Sequence, residues 1–398
     1  MSRLWDKGTP LDERVLAFTA GEDHQLDERL VQYDVRASIA HARMLAGRGL
    51  ITQEDFAAIE KGLTEVGAEH AKGKWKITLQ DEDGQTALEK HLTAKIGAAG
   101  GRVHLGRSRN DQVLTALRLY LKDAATQLAE GVDKVVAALD TVVDKQGSIA
   151  LPGYTHMQQA MPSSVKLWAG GFANELRDDA AGLRATLRRI DKSPLGSAAG
   201  YGAPALKLDR EATAQEMGFA SVQVPVTSVQ LSRGKAESHL LFEIVMTMQD
   251  LGRVASDLML FYTAEFGFVK LPDAFTTGSS IMPQKRNPDV FELVRGRTAT
   301  AHGCLTEALG IFAKLPSGYQ RDLQLLKFPL FRGIDICGQT LDIMAAALAE
   351  VVFDEAAIKG KVNPGIHAAD QAYELALKEG IPFREAYKRV ADGLKFDR

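Results

Sequence analysis

The segment Gly278-Ser279-Ser280-Ile281-Met282-Pro283-Gln284-Lys285-Arg286-Asn287-Pro288 puts hydroxyls, an ammonium and amides on one stretch. Its leading glycine and two prolines keep it out of helix and strand. Such groups bind carboxylates and stabilise negative charge as it develops in a reaction. A polar surface loop with an incidental lysine has the same composition, and on composition alone that plainer reading is favoured, because most such loops do nothing chemical. Gly106-Arg107-Ser108-Arg109-Asn110-Asp111-Gln112 leads into a helical pattern, and a helix N-terminus preceded by Ser, Arg and Asn is an anion site in waiting. Capping by Asn110 or Asp111 is the plainer reading, and anion binding would add to it. Pro152-Gly153-Tyr154-Thr155-His156 sets a histidine behind a turn, either a structural residue or a proton carrier. Glu292 follows Lys285 by seven positions, in the first turns of a predicted helix, where an acid is favourable in any case.

These groups need a scaffold, and helical periodicity supplies it. From Asn110-Asp111, apolar residues recur at Leu114, Leu117, Leu121, Leu128, Val132, Val135, Val136, Leu139, Val142 and Val143, ending near Gly147. Further long helices are predicted over Ser163–Ile190, Ala236–Phe266, Asp289–Leu315 and Leu325–Val352, the last with a kink at Pro329. Shorter ones fit Leu26–Arg48, Gln53–His70, Thr86–Ile96, Ile366–Lys378 and Phe383–Gly393. Strand patterns are confined to Trp75–Leu79 and Ser221–Val226, and no strand–helix alternation occurs, which excludes a doubly wound sheet. The expected fold is therefore all-α, an elongated central bundle of long helices. We expect an N-terminal helical domain over 1–107, a central long-helix domain over 108–355 and a short C-terminal helical domain over 356–398. Polar loops between the helices carry the chemical groups, including Pro316–Gln324.

Composition narrows the function. Lys+Arg number 48 against Asp+Glu 51, a net charge of -3, so nothing favours nucleic acid. Cys304 and Cys337 form no C-x-x-C pair, and the histidines do not cluster as metal ligands. Phosphate-loop, dinucleotide, nucleophile-elbow and zincin motifs are all missing. The opening Met1–Lys7 has no apolar core of a leader, and no apolar run is long enough to span a membrane. A soluble cytoplasmic protein with no membrane partner is expected.

Gly278–Pro288, read as G-S-S-x-M-P-x-K-x-N-P, resembles the signature loop of the fumarase/aspartase superfamily of lyases. Within it, Gly106–Gln112, Pro152–His156, Asp81-Glu82-Asp83 and the stretch from Tyr319 through Asp322-Leu323-Gln324 to Lys327 resemble the argininosuccinate lyase branch, which includes δ-crystallin. The resemblance runs from about Asp27 to about Val390. It implies an all-α homotetramer with active sites shared between subunits, and reversible β-elimination of argininosuccinate to arginine and fumarate, with no metal and no cofactor. It implies Ser279 and His156 as the acid/base pair, with Glu292 orienting His156, and Lys285 and Asn287 holding the carboxylate where charge develops. Ser108, Arg109, Asn110, Thr155 and Gln284 become further substrate contacts, and Tyr319, Gln324 and Lys327 hold the amino-acid end. Ordinary pKa values favour His156 as the base, whereas a closing loop favours Ser279. We take Ser279 as base and His156 as acid.

Several positions depart from the family pattern. Gln85 stands where many members carry His, Leu105 replaces Thr, and Phe18-Thr19-Ala20-Gly21 replaces F-N-x-S. Gln230-Leu231-Ser232-Arg233-Gly234-Lys235 replaces an acidic segment, and the chain ends at Arg398, short of the usual C-terminal extension. These changes leave the elimination groups in place and fall on the amino-acid end of the substrate. The alternatives are another fumarate-releasing lyase (adenylosuccinate lyase, aspartase or fumarase) and a non-catalytic protein of the δ-crystallin kind.

Overall fold

The computed structural model describes residues 12–394; the opening Met1–Lys7, read above for a leader, lies outside them. The main elements in chain order are α1 Glu13–Ala20, α2 Val31–Gly47, α3 Gln53–Ala71, α4 Gly84–Ile96 and α5 Arg109–Gln146, then the strands β1 Ala150–Thr155 and β2 Gln158–Ser164. There follow α6 Val165–Ala185, α7 Lys235–Tyr262, α8 Asp289–Phe312, α9 Lys327–Glu350, α10 Ala368–Glu379 and α11 Phe383–Gly393. The all-α expectation holds, with three small two-stranded sheets added among the described residues.

The chain divides into two compact units. The first comprises Met1–Leu128, Gly182–Ile244 and Ala301–Asp335, and the second the remainder, with the boundaries falling inside α5 to α9. In the first unit, α2, α3 and α4 bury Val35, Leu45, Ile59, Leu63, Val66, Leu88 and Leu92 in one cluster. Helix α3 starts where Thr52 and Asp55 form a reciprocal capping box, and α4 starts where Asp83 accepts from the Thr86 amide at 2.8 Å. Gly62 is required here, because a Cβ would lie 2.8 Å from Leu92 and 2.9 Å from Ile96. In the second unit, Trp168, Phe261, Phe266, Phe268 and Phe353 pack edge-on or tilted, and Trp168 Nε1 donates to Asp257 at 2.9 Å.

The differences from the sequence reading are local. Leu151–Pro162 is a β-hairpin rather than a loop, with Pro152 opposite Pro162, so prolines hide a strand pair that alternation does not signal. It ends the predicted Ser163–Ile190 helix early at its N-terminus, and the helix stops at Ala185 before a separate turn Leu187–Ile190. Trp75–Leu79 is no strand; Trp75 stacks on His91 at 4.2 Å and donates to the Val66 carbonyl. Ser221–Val226 reduces to Ser221–Val222, paired with Lys192–Ser193. Pro329 falls in the first turn of α9, where its missing N–H has no helical partner to lose, so the expected kink loses its cause. A 3₁₀ turn, Arg321–Leu326, precedes that helix.

Candidate active site

Helix α5 is capped by Ser108 rather than by Asn110 or Asp111. Its Oγ accepts from the Asn110 amide at 3.3 Å, and Asp111 accepts from the Ser108 amide at 2.9 Å, a capping box with the acid three residues in. Asp111 also accepts from the Gly196 and Ala198 amides at 3.0 and 2.8 Å, which ties the Ser193–Gly202 turns to the same helix end. Burial still pushes its carboxyl up to about 6 against those donors.

That end of α5 opens into a cavity of about 110 Å³ in the first unit. The structure brings Arg109, Asn110, Tyr319, Gln324 and Lys327 together there, from two segments about two hundred residues apart. It adds residues not assigned from sequence: Asp23, Asp83, Gln85, Arg233 and Arg321. Lys327 is buried, and its ammonium donates to Asp27 at 2.6 Å and pairs with Asp23 at 3.0 Å. Burial, reinforced by Asp27 and Asp83, raises the Asp23 carboxyl to about 7 although Lys327 opposes the shift. The Lys327 ammonium is itself held above its ordinary value; burial opposes this, but the two aspartates outweigh it. Arg109 donates to Asp83 at 2.8 Å. Gln324 donates its amide to the Thr19 and Ala20 carbonyls at 3.0 and 3.3 Å, so it binds the end of α1 as well as lining the cavity. Asp83 belongs to the Asp81–Asp83 segment that carried the resemblance, which pointed to the segment without assigning the side chain, and Gln85 is the departure two residues on.

The second unit holds the other set. Thr277 and Asn287 exchange backbone hydrogen bonds at 3.1 and 2.8 Å and close the base of the Gly278–Arg286 loop. Asn287 also donates from its amide to the Gly278 carbonyl at 3.3 Å, so its side chain holds the loop's neck. Within the loop, Ser279 Oγ accepts from the Ile281 and Met282 amides at 3.3 and 3.2 Å. Two amides aimed at one hydroxyl oxygen favour its anionic form. Gln284 and Lys285 are exposed on the loop, and Glu292 is exposed in the first turns of α8.

Thr155 ends β1, and His156-Met157 form the two-residue turn to β2. Both turn residues have positive φ, 53° and 61°, a conformation that side chains disfavour and that Asn-Gly usually supplies. The turn is held from outside: Gln159 donates to the Lys361 carbonyl at 2.8 Å and accepts from the Asn363 amide at 2.7 Å. His156 is exposed, and among the described residues it makes no hydrogen bond to Glu292 within the chain.

Residues 8–303 match a family model described as Lyase. The chain is 46 % identical to an argininosuccinate lyase of Sorangium cellulosum (strain So ce56), over 98 % of this chain and 90 % of that protein. A Thermotoga neapolitana argininosuccinate lyase is 43 % identical over 98 % of both. Among solved structures, EDDS lyase in complex with formate matches with a TM-score of 0.82 at 24 % identity, over 96 % of this chain and 76 % of that one. A fumarate lyase from Mesorhizobium sp. BNC1 matches with a TM-score of 0.77 at 19 % identity, over 96 % and 87 %, and these two matches bear on the fold alone. Matched over nearly its whole length at this identity, the chain belongs to the argininosuccinate lyase family of carbon–nitrogen lyases.

Proposed function

We infer that the chain catalyses the reversible β-elimination of argininosuccinate to fumarate and L-arginine, a step of arginine biosynthesis. The observation that carries this reading is the 46 % identity to an argininosuccinate lyase across 98 % of the chain. The reaction takes a proton from the carbon beside a carboxylate and breaks the neighbouring C–N bond. The electron pair of the C–H bond becomes the second bond of fumarate, the C–N pair leaves with the guanidine nitrogen, and that nitrogen is protonated.

The groups described above suit each part. Ser279, its oxygen already receiving two amide hydrogens, takes the proton, and His156 supplies one to the leaving nitrogen. Lys285 and Asn287 hold the carboxylate into which charge spreads, with Thr155 and Gln284 as further contacts. Glu292 orients His156. Ser108, Arg109 and Asn110 bind at the head of α5, and Tyr319, Gln324 and Lys327 hold the amino-acid end.

Assembly belongs to the same reading. The chain works as a homotetramer whose sites draw the Ser108–Asn110, Thr155–His156 and Ser279–Asn287 loops from different copies. In support, the long helices leave large apolar side chains exposed, among them Leu167, Phe242, Met246, Leu293 and Leu309. Among the described residues no helix is long and apolar enough to cross a membrane, and the free thiols of Cys304 and Cys337 are buried, which suits a reducing cytoplasm. The test is direct. Argininosuccinate, adenylosuccinate, aspartate and malate are offered separately, and fumarate is followed by its ultraviolet absorbance. Release from argininosuccinate alone is expected; release from one of the others instead would overturn the assignment.

A further inference from the structure

The cavity in the first unit is electrically lopsided. On one wall, Lys327 is shared by two carboxylates, Asp23 and Asp27, so acceptor oxygens are left over for a second cation. On another stands Arg233, in the segment whose sequence departs from the family pattern. Its side chain is only 4 % exposed, and its guanidinium carbon lies 5.6 Å from the centre of the Tyr319 ring. One nitrogen, Nη2, donates to the Leu323 carbonyl at 3.4 Å, while Nε and Nη1 have no hydrogen-bond partner. A buried cation with two unused N–H groups is costly unless something completes it.

The neighbourhood does not complete it. Two further buried charges lie in its electrostatic neighbourhood, Arg118 and Glu237, both fully enclosed. Arg118 spends its hydrogen bonds on the Arg189 carbonyl at 2.6 Å and the Ser232 hydroxyl at 2.8 Å. Neither oxygen of Glu237 accepts a hydrogen bond, and it acts on Arg118 through charge alone. Arg118 is attracted to Glu237 and repelled by Arg233, so this group sets two guanidiniums against one carboxylate and has room for a further anion. Arg233 is the member of this group that lines the cavity.

We propose that Arg233 is the carboxylate anchor of this pocket, receiving the α-carboxylate of the arginine half of the substrate while Asp23 and Asp83 face its α-ammonium. The assignment rests on the argininosuccinate reading and deepens it. An α-amino acid carries both charges a few ångströms apart, so it satisfies both walls at once. Neither a lone cation nor a lone anion does. Arginine's N–H groups make charge-assisted hydrogen bonds to a carboxylate, and Nε and Nη1 are the nitrogens free to donate them. Gly234 behind it, with φ +81° and no room for a Cβ against Phe312, fixes the backbone from which the side chain projects.

The experiment compares L-arginine with agmatine, the same molecule without its carboxylate, as ligands of the assembled protein by calorimetry. The wild type is expected to bind arginine at least ~10-fold more tightly than agmatine, and Arg233→Gln to abolish that preference by weakening arginine alone. With argininosuccinate, Arg233→Gln raises KM by roughly 30-fold or more, the scale of a lost buried charge-assisted pair, with a smaller effect on kcat. Arg233→Lys, which keeps a buried cation, recovers part of the arginine preference and serves if the glutamine variant does not fold. Equal binding of arginine and agmatine by the wild type overturns the proposal, as does an arginine preference that survives loss of Arg233. A wild type that releases no fumarate from argininosuccinate is a separate result and strikes the functional reading instead.

Discussion

At the scale of single residues, the elimination groups predict a graded series. On the proposed mechanism, Ser279→Ala and His156→Asn each remove a proton carrier and are expected to lower kcat by roughly 10²-fold or more. Lys285→Met is expected to be at least as damaging, since the carboxylate loses its nearest cation at the moment charge develops. Glu292→Gln tunes His156 rather than reacting, so its effect is smaller. Steady-state kinetics check the order, and near-normal turnover by Ser279→Ala would remove the loop from the mechanism. Asp23 gives a second prediction, in stability. Burial holds its carboxyl near pH 7 in the folded chain against 3.8 for the free group. Between these values the unfolded chain has released a proton that the folded chain keeps. The contribution of Asp23 to stability is therefore present at the acid end and is lost as pH rises from about 4 to about 7. Asp23→Asn removes this titration. Urea unfolding across that window is expected to show the wild type losing stability with pH relative to the variant, and parallel profiles would contradict it.

At the scale of elements, Gly234→Ala is expected to cost about 2–4 kcal/mol. It forces a side chain into positive φ and places a Cβ 2.4 Å from the Phe312 ring, combining backbone strain with overpacking. A shifted denaturation midpoint with an unchanged slope measures it. The long helices were legible because their apolar stripes repeat over many turns: Leu114, Leu117, Leu121, Leu128, Val132, Val135 and Leu139 are all buried as the spacing implies. The hairpin before α6 was not, because Pro152 and Pro162 argue against strands and only pairing across the turn makes them compatible. The loops were legible as places for chemistry because their residue types are unusual for connectors. The side chains that complete the amino-acid pocket were not. Asp23 and Arg233 gain their meaning from burial and from neighbours distant in sequence, Lys327 for the one and Leu323 and Tyr319 for the other, which no local pattern contains. The N-cap of α5 was misplaced by two residues because Ser, Asn and Asp are all good caps, and only the hydrogen bonds choose between them.

At the scale of the whole molecule, sharing of sites makes a prediction that no single chain can satisfy. Helix α5 alone puts 36 helical residues between Asn110 and the Thr155–His156 turn. If each site takes its loops from different copies, inactive Ser279→Ala and inactive His156→Asn chains will complement. After dissociation and reassociation together, some tetramers contain sites free of both changes, and activity returns in the mixture although neither parent has it. Mixed tetramers, verified by mass, that stay inactive would place each site within one chain. The pinched base of the Gly278–Arg286 loop bears on how such an assembly can be taken apart in function but not in form. With Thr277 and Asn287 joined through their backbones, the loop is a purse whose mouth is drawn shut, and Lys285 and Arg286 lie exposed on it. Brief trypsin treatment of the native protein will cut there while both cut ends stay anchored. The expected product is a nicked particle that keeps its helical content and its size in solution, yet, on the proposed mechanism, no longer turns over.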